Sequence, residues 1–404
     1  MPIASLTGST AGIEQAVVLL LIIAAAVAIV ARRIGVPYTI GLTLVGLAVG
    51  VGAHVQTLRL SSDLVFYVFL PILLFEAGFH LDAAHLRDQW RRILALAVPG
   101  VLVAFALTAV GVHYLGGMAW SLALLFGALI AATDPVSVVS LFRRLGVSQR
   151  LTTLVDAESL FNDGAAAVLF AVVLAVVVDG HEFTAAWAAG KFLWMAAGGL
   201  VAGLVVGYAA SFVHRHLDDH IIEITLSTIV AYGSFLLGQA LGMSGVVACV
   251  TAAIVLGNLG RRRTMSPVTR VTMDTVWEYA AFVANSLIFL LIGLSMHLSL
   301  IGAHVGLVLI AFVVVVAARA VVVYGYGLIS RPFGGLPFRW QHVLVWGGLR
   351  GTIALALVLS VPAAFAGRQT LEVVTFGVVL LSLVGQGLTV PWLTRRLGLA
   401  DERE

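Results

Sequence analysis

The stretch SLALLFGALIAATDPVSVVSL, residues 121–141, decides the fold because it is an apolar run of membrane-spanning length with a break at its centre. A helix needs about 20 mostly apolar residues to cross a bilayer. Pro135 lacks a backbone N–H and clashes with the preceding turn, so Thr133 and Asp134 are biased away from helix. Irregular backbone inside a membrane is tolerated only against protein or a water-filled cavity. The run therefore predicts a broken transmembrane helix.

The rest of the chain has the composition of a membrane protein. Of its 404 residues, 61% are hydrophobic and 11% are charged, whereas soluble domains carry about 25% charged residues. The mean hydropathy is +1.07. The apolar runs are long and continuous, which excludes the short alternating segments of a β-barrel. The sequence predicts an all-α polytopic membrane protein, and its net charge of +3 does not indicate a nucleic-acid partner.

Thirteen apolar runs are long enough to be transmembrane helices. Their approximate limits are 13–31, 36–53, 61–81, 93–114, 119–141, 152–178, 186–213, 221–241, 243–259, 272–298, 301–329, 340–360 and 371–393. With the N-terminus outside, nearly all arginines of the connections lie on the cytoplasmic side, and only Arg59 and Arg368 lie outside. This asymmetry follows the positive-inside rule and predicts a short cytoplasmic tail at 394–404.

A second break is predicted in the twelfth span, where GGLRGT at 347–352 places three glycines beside an arginine. The two broken spans are seven apart, and an offset of seven inverts the orientation. This favours two inverted six-helix repeats, spans 1–6 (about 13–178) and spans 8–13 (about 221–393), with span 7 (about 186–213) as connector. In such folds the broken helices cross near the membrane midplane and help to form the substrate site.

Acidic residues inside the spans indicate where that site lies. A charge in hydrocarbon costs at least ~2.5–3.5 kcal/mol, yet the sixth span contains ESLFNDG at 158–164. Asp163 is about 18 Å into this span at 1.5 Å per residue, near the middle of the hydrocarbon. Ser159 is four residues earlier, on the same helix face, and Asn162 flanks the pair.

These oxygen-bearing side chains suit a small hard cation such as Na⁺. Asp134 and Thr133, from the broken fifth span, can complete its ligand shell, and Glu76 in the third span is a further intramembrane acid. A proton and a cation would compete for the Asp163 carboxylate, so binding of one displaces the other. The predicted activity is the exchange of Na⁺ or Li⁺ for H⁺.

Glu158 lies about 140° around the helix from Asp163 and should face elsewhere. A buried guanidinium favours a bidentate carboxylate, so we expect a structural ion pair between Glu158 and Arg350. The role of Arg319 stays open between lining a path and pairing with an acid. Asn285 and Ser286 are interpreted as helix-packing contacts.

Four motifs, in this order along nearly the whole chain, resemble those of the monovalent cation/proton antiporters, in the NhaP-like branch related to animal sodium–proton exchangers. They are FEAG at 75–78, TDPVSV at 133–138, ESLFNDG at 158–164 and GGLRG at 347–351. The resemblance implies thirteen helices with inverted repeats in the plasma membrane, a homodimer, and a role in pH homeostasis.

The resemblance also implies roles for individual residues. Asp163 would be the essential carboxylate, and the Glu158–Arg350 pair would be structural. Asn162 stands where a sister, electrogenic branch has an aspartate, which implies electroneutral exchange of one cation for one proton. The side chains that would hold the Na⁺ with Asp163 are Glu76, Thr133, Asp134 and Ser159.

Other functions remain as alternatives. A K⁺/H⁺ antiporter would use the same residues, because ligand distances decide between Na⁺, K⁺ and Li⁺. A cation channel could line its pore with the same acids but would show no obligatory proton coupling. No His-Glu-x-x-His motif is present, so an intramembrane zinc enzyme is disfavoured. We expect no enzyme activity and no cofactor beyond the transported ions.

Overall fold

The computed structural model describes residues 10–34, 36–53, 61–217, 219–260, 265–296, 298–333 and 335–400. Within these ranges every regular element is helical and no β-strand is present, which confirms the all-α prediction. The first helices are α1 (Thr10–Ile34), α2 (Tyr38–Ala53), α3 (Leu70–His80, after a π-helical turn at Leu64–Phe69), α4 (Ala83–Ala97), α5 (Pro99–Tyr114), α6 (Trp120–Ile130), α7 (Val136–Leu145), α8 (Gln149–Val177) and α9 (Ala185–His214). The others are α10 (His220–Ala240), α11 (Gly245–Val255, extended by a π-helical turn at Leu256–Gly260), α12 (Pro267–Ser295), α13 (Leu298–Ala303), α14 (Val305–Ile329), α15 (Phe338–Trp346), α16 (Thr352–Ser360), α17 (Arg368–Leu381, followed by a π-helical turn at Ser382–Gln386) and α18 (Gly387–Arg396).

Several of these helices are long and apolar enough to cross a membrane. In the described residues there are seven such segments: Ala83–Tyr114, Gln149–Val177, Ala185–His214, His220–Ala240, Pro267–Ser295, Val305–Ile329 and Arg368–Arg396. Shorter apolar helices lie before the first of these segments and between later ones. The chain is therefore a multi-pass membrane protein. Arg59, predicted outside, and positions 401–404 of the predicted tail are beyond the described residues.

The fourth predicted span begins earlier than hydropathy indicated. It was expected at about 93, but the helical segment starts at Ala83 and continues to Tyr114. Asp82 caps it, because its Oδ1 accepts a hydrogen bond from the Ala84 N–H at 2.7 Å. The added turns carry Arg87, Asp88, Arg91 and Arg92. Their charges lower the hydropathy, whereas helix formation depends on the cap and on one buried face.

Both predicted helix breaks are confirmed. The chain is non-helical between Ile130 and Val136 and again between Trp346 and Thr352. The breaks contact each other: the Asp134 N–H donates to the Leu349 carbonyl oxygen at 2.8 Å. Each break therefore satisfies backbone groups that the other leaves without a helical partner.

The helices pack in two groups. The first helix group contains α1–α3 and α9–α12, in which α12 packs on α2 and α3, and α11 packs on α3, α9 and α10. The second helix group contains α4–α8 and α13–α18, in which α5 packs on α6 and α14, and α8 packs on α4 and α6. The Thr39 hydroxyl of α2 lies 2.5 Å from the Ser137 hydroxyl of α7, a buried hydrogen bond between the groups.

A glycine pair allows very close packing inside the first helix group. Gly46 of α2 and Gly293 of α12 lie at the crossing of the two helices. A Cβ at Gly46 would collide with the Leu290 carbonyl oxygen, and one at Gly293 would collide with that of Thr43. Close approach through small residues is a common way to join helices in a membrane, because it maximises van der Waals contact.

Candidate functional site

The break between α6 and α7 positions Thr133 and Asp134. Pro135 occupies the N-cap position of α7, and the Asp134 Oδ1 accepts a hydrogen bond from the Val136 N–H at 3.1 Å. The Asp134 Oδ2 accepts from both the N–H and the hydroxyl of Thr352, each at 3.3 Å. The Asp134 side chain is therefore held by the start of α7 and by the start of α16 at once.

Gly351 is required where the two breaks meet. A Cβ at this position would collide with the carboxylate of Asp134. The glycine therefore allows the backbone to approach the aspartate closely enough for the Thr352 hydrogen bonds to form. Thr352 was not among the predicted site residues, and its place directly after the GGLRG motif was the available signal.

Helix α8 brings Ser159 and Asn162 against Thr133. The Thr133 and Ser159 hydroxyls lie 2.8 Å apart. The Asn162 amide donates to the Thr133 hydroxyl at 2.6 Å, and the Asn162 Oδ1 accepts from the Thr133 N–H at 3.2 Å. These three predicted residues therefore form one buried network. Ser159 and Asn162 do not line the cavity. They contact Thr133, which does line it, and so hold it in position.

Asp163 lines a cavity of about 700 Å³. It is half-buried, and within the described part of the chain its carboxylate accepts no hydrogen bond and forms no ion pair. Thr133, Asp134 and Glu76 line the same cavity. The structure therefore gathers four of the predicted residues around one space, and the Asp163 carboxylate is available to bind a cation or a proton.

The cavity extends from Asp163 to the ends of several helices. Its lining includes Pro37 between α1 and α2, His80 at the end of α3, and Arg143 near the end of α7. Glu76 lies along this route, and its Oε1 is 3.3 Å from the Nδ1 of His80. The connections α1–α2, α3–α4 and α7–α8 share one side of the membrane if the spans alternate, so the cavity reaches that side.

Glu158 pairs with Arg319, and the prediction of a Glu158–Arg350 pair is wrong. The Arg319 Nη1 and Nη2 donate to the Glu158 Oε1 and Oε2, each at 2.7 Å, and both side chains are buried. The Arg319 Nε donates to the Leu344 carbonyl oxygen at 3.1 Å. Glu158 faces away from the cavity as expected, and this bidentate pair resolves the role of Arg319.

The guanidinium of Arg350 has a different partner, for a physical reason. Its Nη1 donates to the carbonyl oxygens of Ala131 and Ala132, at 2.8 and 2.9 Å. These carbonyls follow the end of α6, where no further helical turn supplies N–H donors. Arg350, predicted to pair with Glu158, therefore donates to backbone carbonyl oxygens at the first break instead.

Two further residues line the cavity that were not among the predicted site residues. Asp156 lies in the second turn of α8 and lines the cavity. It precedes Asp163 by seven residues and so shares its helix face, a spacing that could have shown this. Asn285, interpreted as a packing contact, also lines the cavity.

Comparison with known proteins gives consistent matches. The family described as "sodium/hydrogen exchanger, transmembrane" matches residues 18–396. The chain is 39% identical over 370 residues to the Na⁺/H⁺ antiporter ApNhaP of Aphanothece halophytica, covering 91% of this chain and 71% of that protein. It is 35% identical over 398 residues to the Na⁺/H⁺ antiporter NhaH of Halobacillus dabanensis, covering 95% and 97%. Its fold is similar to that of the sodium proton antiporter MjNhaP1 from Methanocaldococcus jannaschii at pH 8, with a TM-score of 0.79, 22% identity, and coverage of 95% and 98%.

Proposed function

The chain belongs to the sodium/hydrogen exchanger family, and from this membership and the site geometry we propose that it exchanges Na⁺ for H⁺ by competition of both ions for Asp163. Like the relatives it matches, it is a Na⁺/H⁺ antiporter, and it is not an enzyme. The observation that carries the mechanism is the Asp163 carboxylate, which lines the cavity without a hydrogen bond or an ion pair in the described part of the chain. A carboxylate without a partner can bind one Na⁺ or one proton, but not both.

We propose that the Na⁺ ligands are Asp163, Thr133, Ser159 and Glu76, with Asp134 and Asn162 in supporting roles. The Asp134 carboxylate already accepts bonds from Val136 and Thr352, so it contributes negative charge to the cavity while it stays fixed. Ser159 contributes by fixing Thr133, and its hydroxyl reaches the ion only if their hydrogen bond opens. Asn162 orients Thr133 and caps the Glu158–Arg319 pair.

The proposed topology has thirteen spans in two inverted repeats. The described helices support this grouping, because α4–α5, α6–α7, α13–α14, α15–α16 and α17–α18 can each form one span. The N-terminus would be outside and the C-terminus in the cytoplasm, which directs the cavity mouth beside Arg143 toward the cytoplasm. We further propose that the protein is a homodimer in the plasma membrane.

The proposed stoichiometry is one Na⁺ for one proton. Among the cavity residues, only Asp163 would change its occupant during the cycle. Asn162 is neutral, and its amide bonds with Thr133 and Glu158, so it carries no second exchangeable proton. An imposed membrane voltage should therefore leave the rate of exchange unchanged.

The experiment uses purified protein in proteoliposomes with an acidic lumen and a pH-sensitive dye. Addition of Na⁺, Li⁺ or K⁺ outside, in separate runs, should dissipate the gradient for Na⁺ and Li⁺. Asp163→Asn should abolish the response, whereas Asp179→Asn should not, because Asp179 is exposed beyond the end of α8. A response to K⁺ alone would show a K⁺/H⁺ antiporter, and cation flux without proton movement would show a channel. Transport that survives Asp163→Asn would disprove the proposed site.

A further inference from the structure

Asn285 is a buried amide in the wall of the ion cavity. It lies on α12 and is 5% exposed, and its Oδ1 has no hydrogen-bond partner among the residues that the structure describes. Its side-chain amide forms no hydrogen bond to any described residue. A buried polar group without a partner is costly, so such groups in native proteins normally have a partner, an ordered water or an ion.

The position of Asn285 indicates which partner is missing. It lines the same cavity as Asp163 and Asp134, but it belongs to the first helix group, whereas those acids belong to the second. Glu278 precedes Asn285 by seven residues on α12 and also lines the cavity. Asp156 precedes Asp163 by seven residues on α8, so each wall carries an acid two helical turns before its polar residue.

The chemistry of an amide suits this position. A side-chain carbonyl oxygen is an established ligand for hard cations and carries no charge. The oxygen and nitrogen of an asparagine amide exchange places by a half-turn about its terminal bond. Either position that faces the cavity can therefore be occupied by the oxygen when a cation arrives.

We propose that the Asn285 carbonyl oxygen is a further ligand of the transported cation, supplied by the helix group opposite Asp163. This inference rests on the proposed Na⁺ exchange and adds a residue to its specificity. Asn285 replaces one water of the hydrated ion as the ion approaches Asp163. Since it carries no charge, it favours the cation without adding a proton-binding group, and so it favours Na⁺ over the competing proton.

The test compares Asn285→Leu, which keeps the volume and removes the oxygen, with Asn285→Asp, which keeps an oxygen ligand. In proteoliposomes, Asn285→Leu should raise the KM for Na⁺ by roughly three- to tenfold, with Vmax nearly unchanged, because the loss of one contact as strong as a hydrogen bond has about this effect on affinity. Asn285→Asp should have a KM equal to that of the wild type or lower. Asn285→Ala replaces the leucine variant if that variant does not fold.

Ser286→Ala is the matched control. Ser286 is the next residue of α12 and is fully buried. Its Oγ also lacks a hydrogen-bond partner in the described part of the chain, but it does not line the cavity. Its KM for Na⁺ should equal that of the wild type. If Asn285→Leu keeps the wild-type KM, or if both Asn285 variants raise it equally, Asn285 is a packing residue and the inference is wrong.

A second measurement separates this inference from the proposed exchange. Na⁺ should raise the melting temperature of the purified wild-type protein, because a ligand that binds only the folded state stabilises it. The Na⁺ concentration for half of this effect should rise in Asn285→Leu and stay unchanged in Ser286→Ala. A wild-type protein that binds Na⁺ but exchanges no protons would refute the antiport mechanism and leave the role of Asn285 measurable.

Discussion

The Glu158–Arg319 pair leads to a sharp prediction about stability. The two side chains share two hydrogen bonds of 2.7 Å and are almost completely buried. Arg319→Leu would leave the Glu158 carboxylate with only the Asn162 amide, at 3.2 Å, among the described residues. Removing one member of a buried ion pair costs about 3–5 kcal/mol, because the other charge stays buried without its counterion.

The double substitution should behave differently. Replacing both members of a buried pair by apolar side chains is often nearly neutral, since no charge is left behind. Glu158→Leu together with Arg319→Leu should therefore be much less destabilising than the sum of the single changes. The expected coupling energy is at least ~2 kcal/mol, well above the ~0.3–0.5 kcal/mol within which independent sites are additive.

The assay is equilibrium unfolding of the purified protein in mixed micelles, followed by the fluorescence of its 8 tryptophans. The control cycle pairs Glu158→Leu with Arg350→Leu. Arg350 donates to the Ala131 and Ala132 carbonyl oxygens, so its coupling to Glu158 should be smaller by at least ~1 kcal/mol. Equal coupling of Glu158 to both arginines, or additive changes in the Arg319 cycle, would refute the pairing.

Three further predictions concern the site. Gly351→Ala should lower both the melting temperature and the transport rate, because the added Cβ would collide with Asp134. The control Gly385→Ala should change neither, because a Cβ there meets open space. Transport at the wild-type rate in Gly351→Ala would contradict the required close approach. Asn162→Asp should make transport sensitive to an imposed voltage by adding a second acid beside Asp163, and voltage-independent exchange in this variant would argue against Asn162 as the determinant of stoichiometry. Lowering the pH on the cavity side should raise the apparent KM for Na⁺ at constant Vmax, since protons and Na⁺ compete for Asp163. The transport rate is measured over a matrix of pH and Na⁺ concentration, and a pH-dependent Vmax at constant KM would exclude simple competition.

The sequence predicted those features that depend on local chemistry. Pro135 and the glycines at 347–351 located both breaks, since each changes the backbone at its own position. The spacing of Ser159 and Asp163 predicted a shared helix face near Thr133; the Ser159 hydroxyl lies 2.8 Å from that of Thr133, and Asp163 lines the cavity beside it. Such effects act within one or two helical turns and can be read without knowledge of the neighbouring helices.

The features that were wrong or missed depend on which helices meet. Arg319 and Arg350 are both deep in apolar runs, and nothing local shows that α14 rather than the second break faces Glu158. Likewise, a lone asparagine in an apolar span is typical of a helix-packing contact. Only the position of α12 beside the cavity indicates that Asn285 lines it. Pairing between residues 161 positions apart, as for Glu158 and Arg319, is decided by tertiary packing.

The hydrogen bonds that join the two breaks have a thermodynamic consequence. Separating Asp134 from Leu349, and Arg350 from Ala131 and Ala132, would strand several buried groups at about 1–3 kcal/mol each. The two breaks therefore hold Thr133 and Asp134 in one fixed arrangement within the second helix group. The proposed exchange of one Na⁺ for one proton has no built-in direction, and the ratio of the two ion gradients alone decides whether a cell loses sodium or gains it.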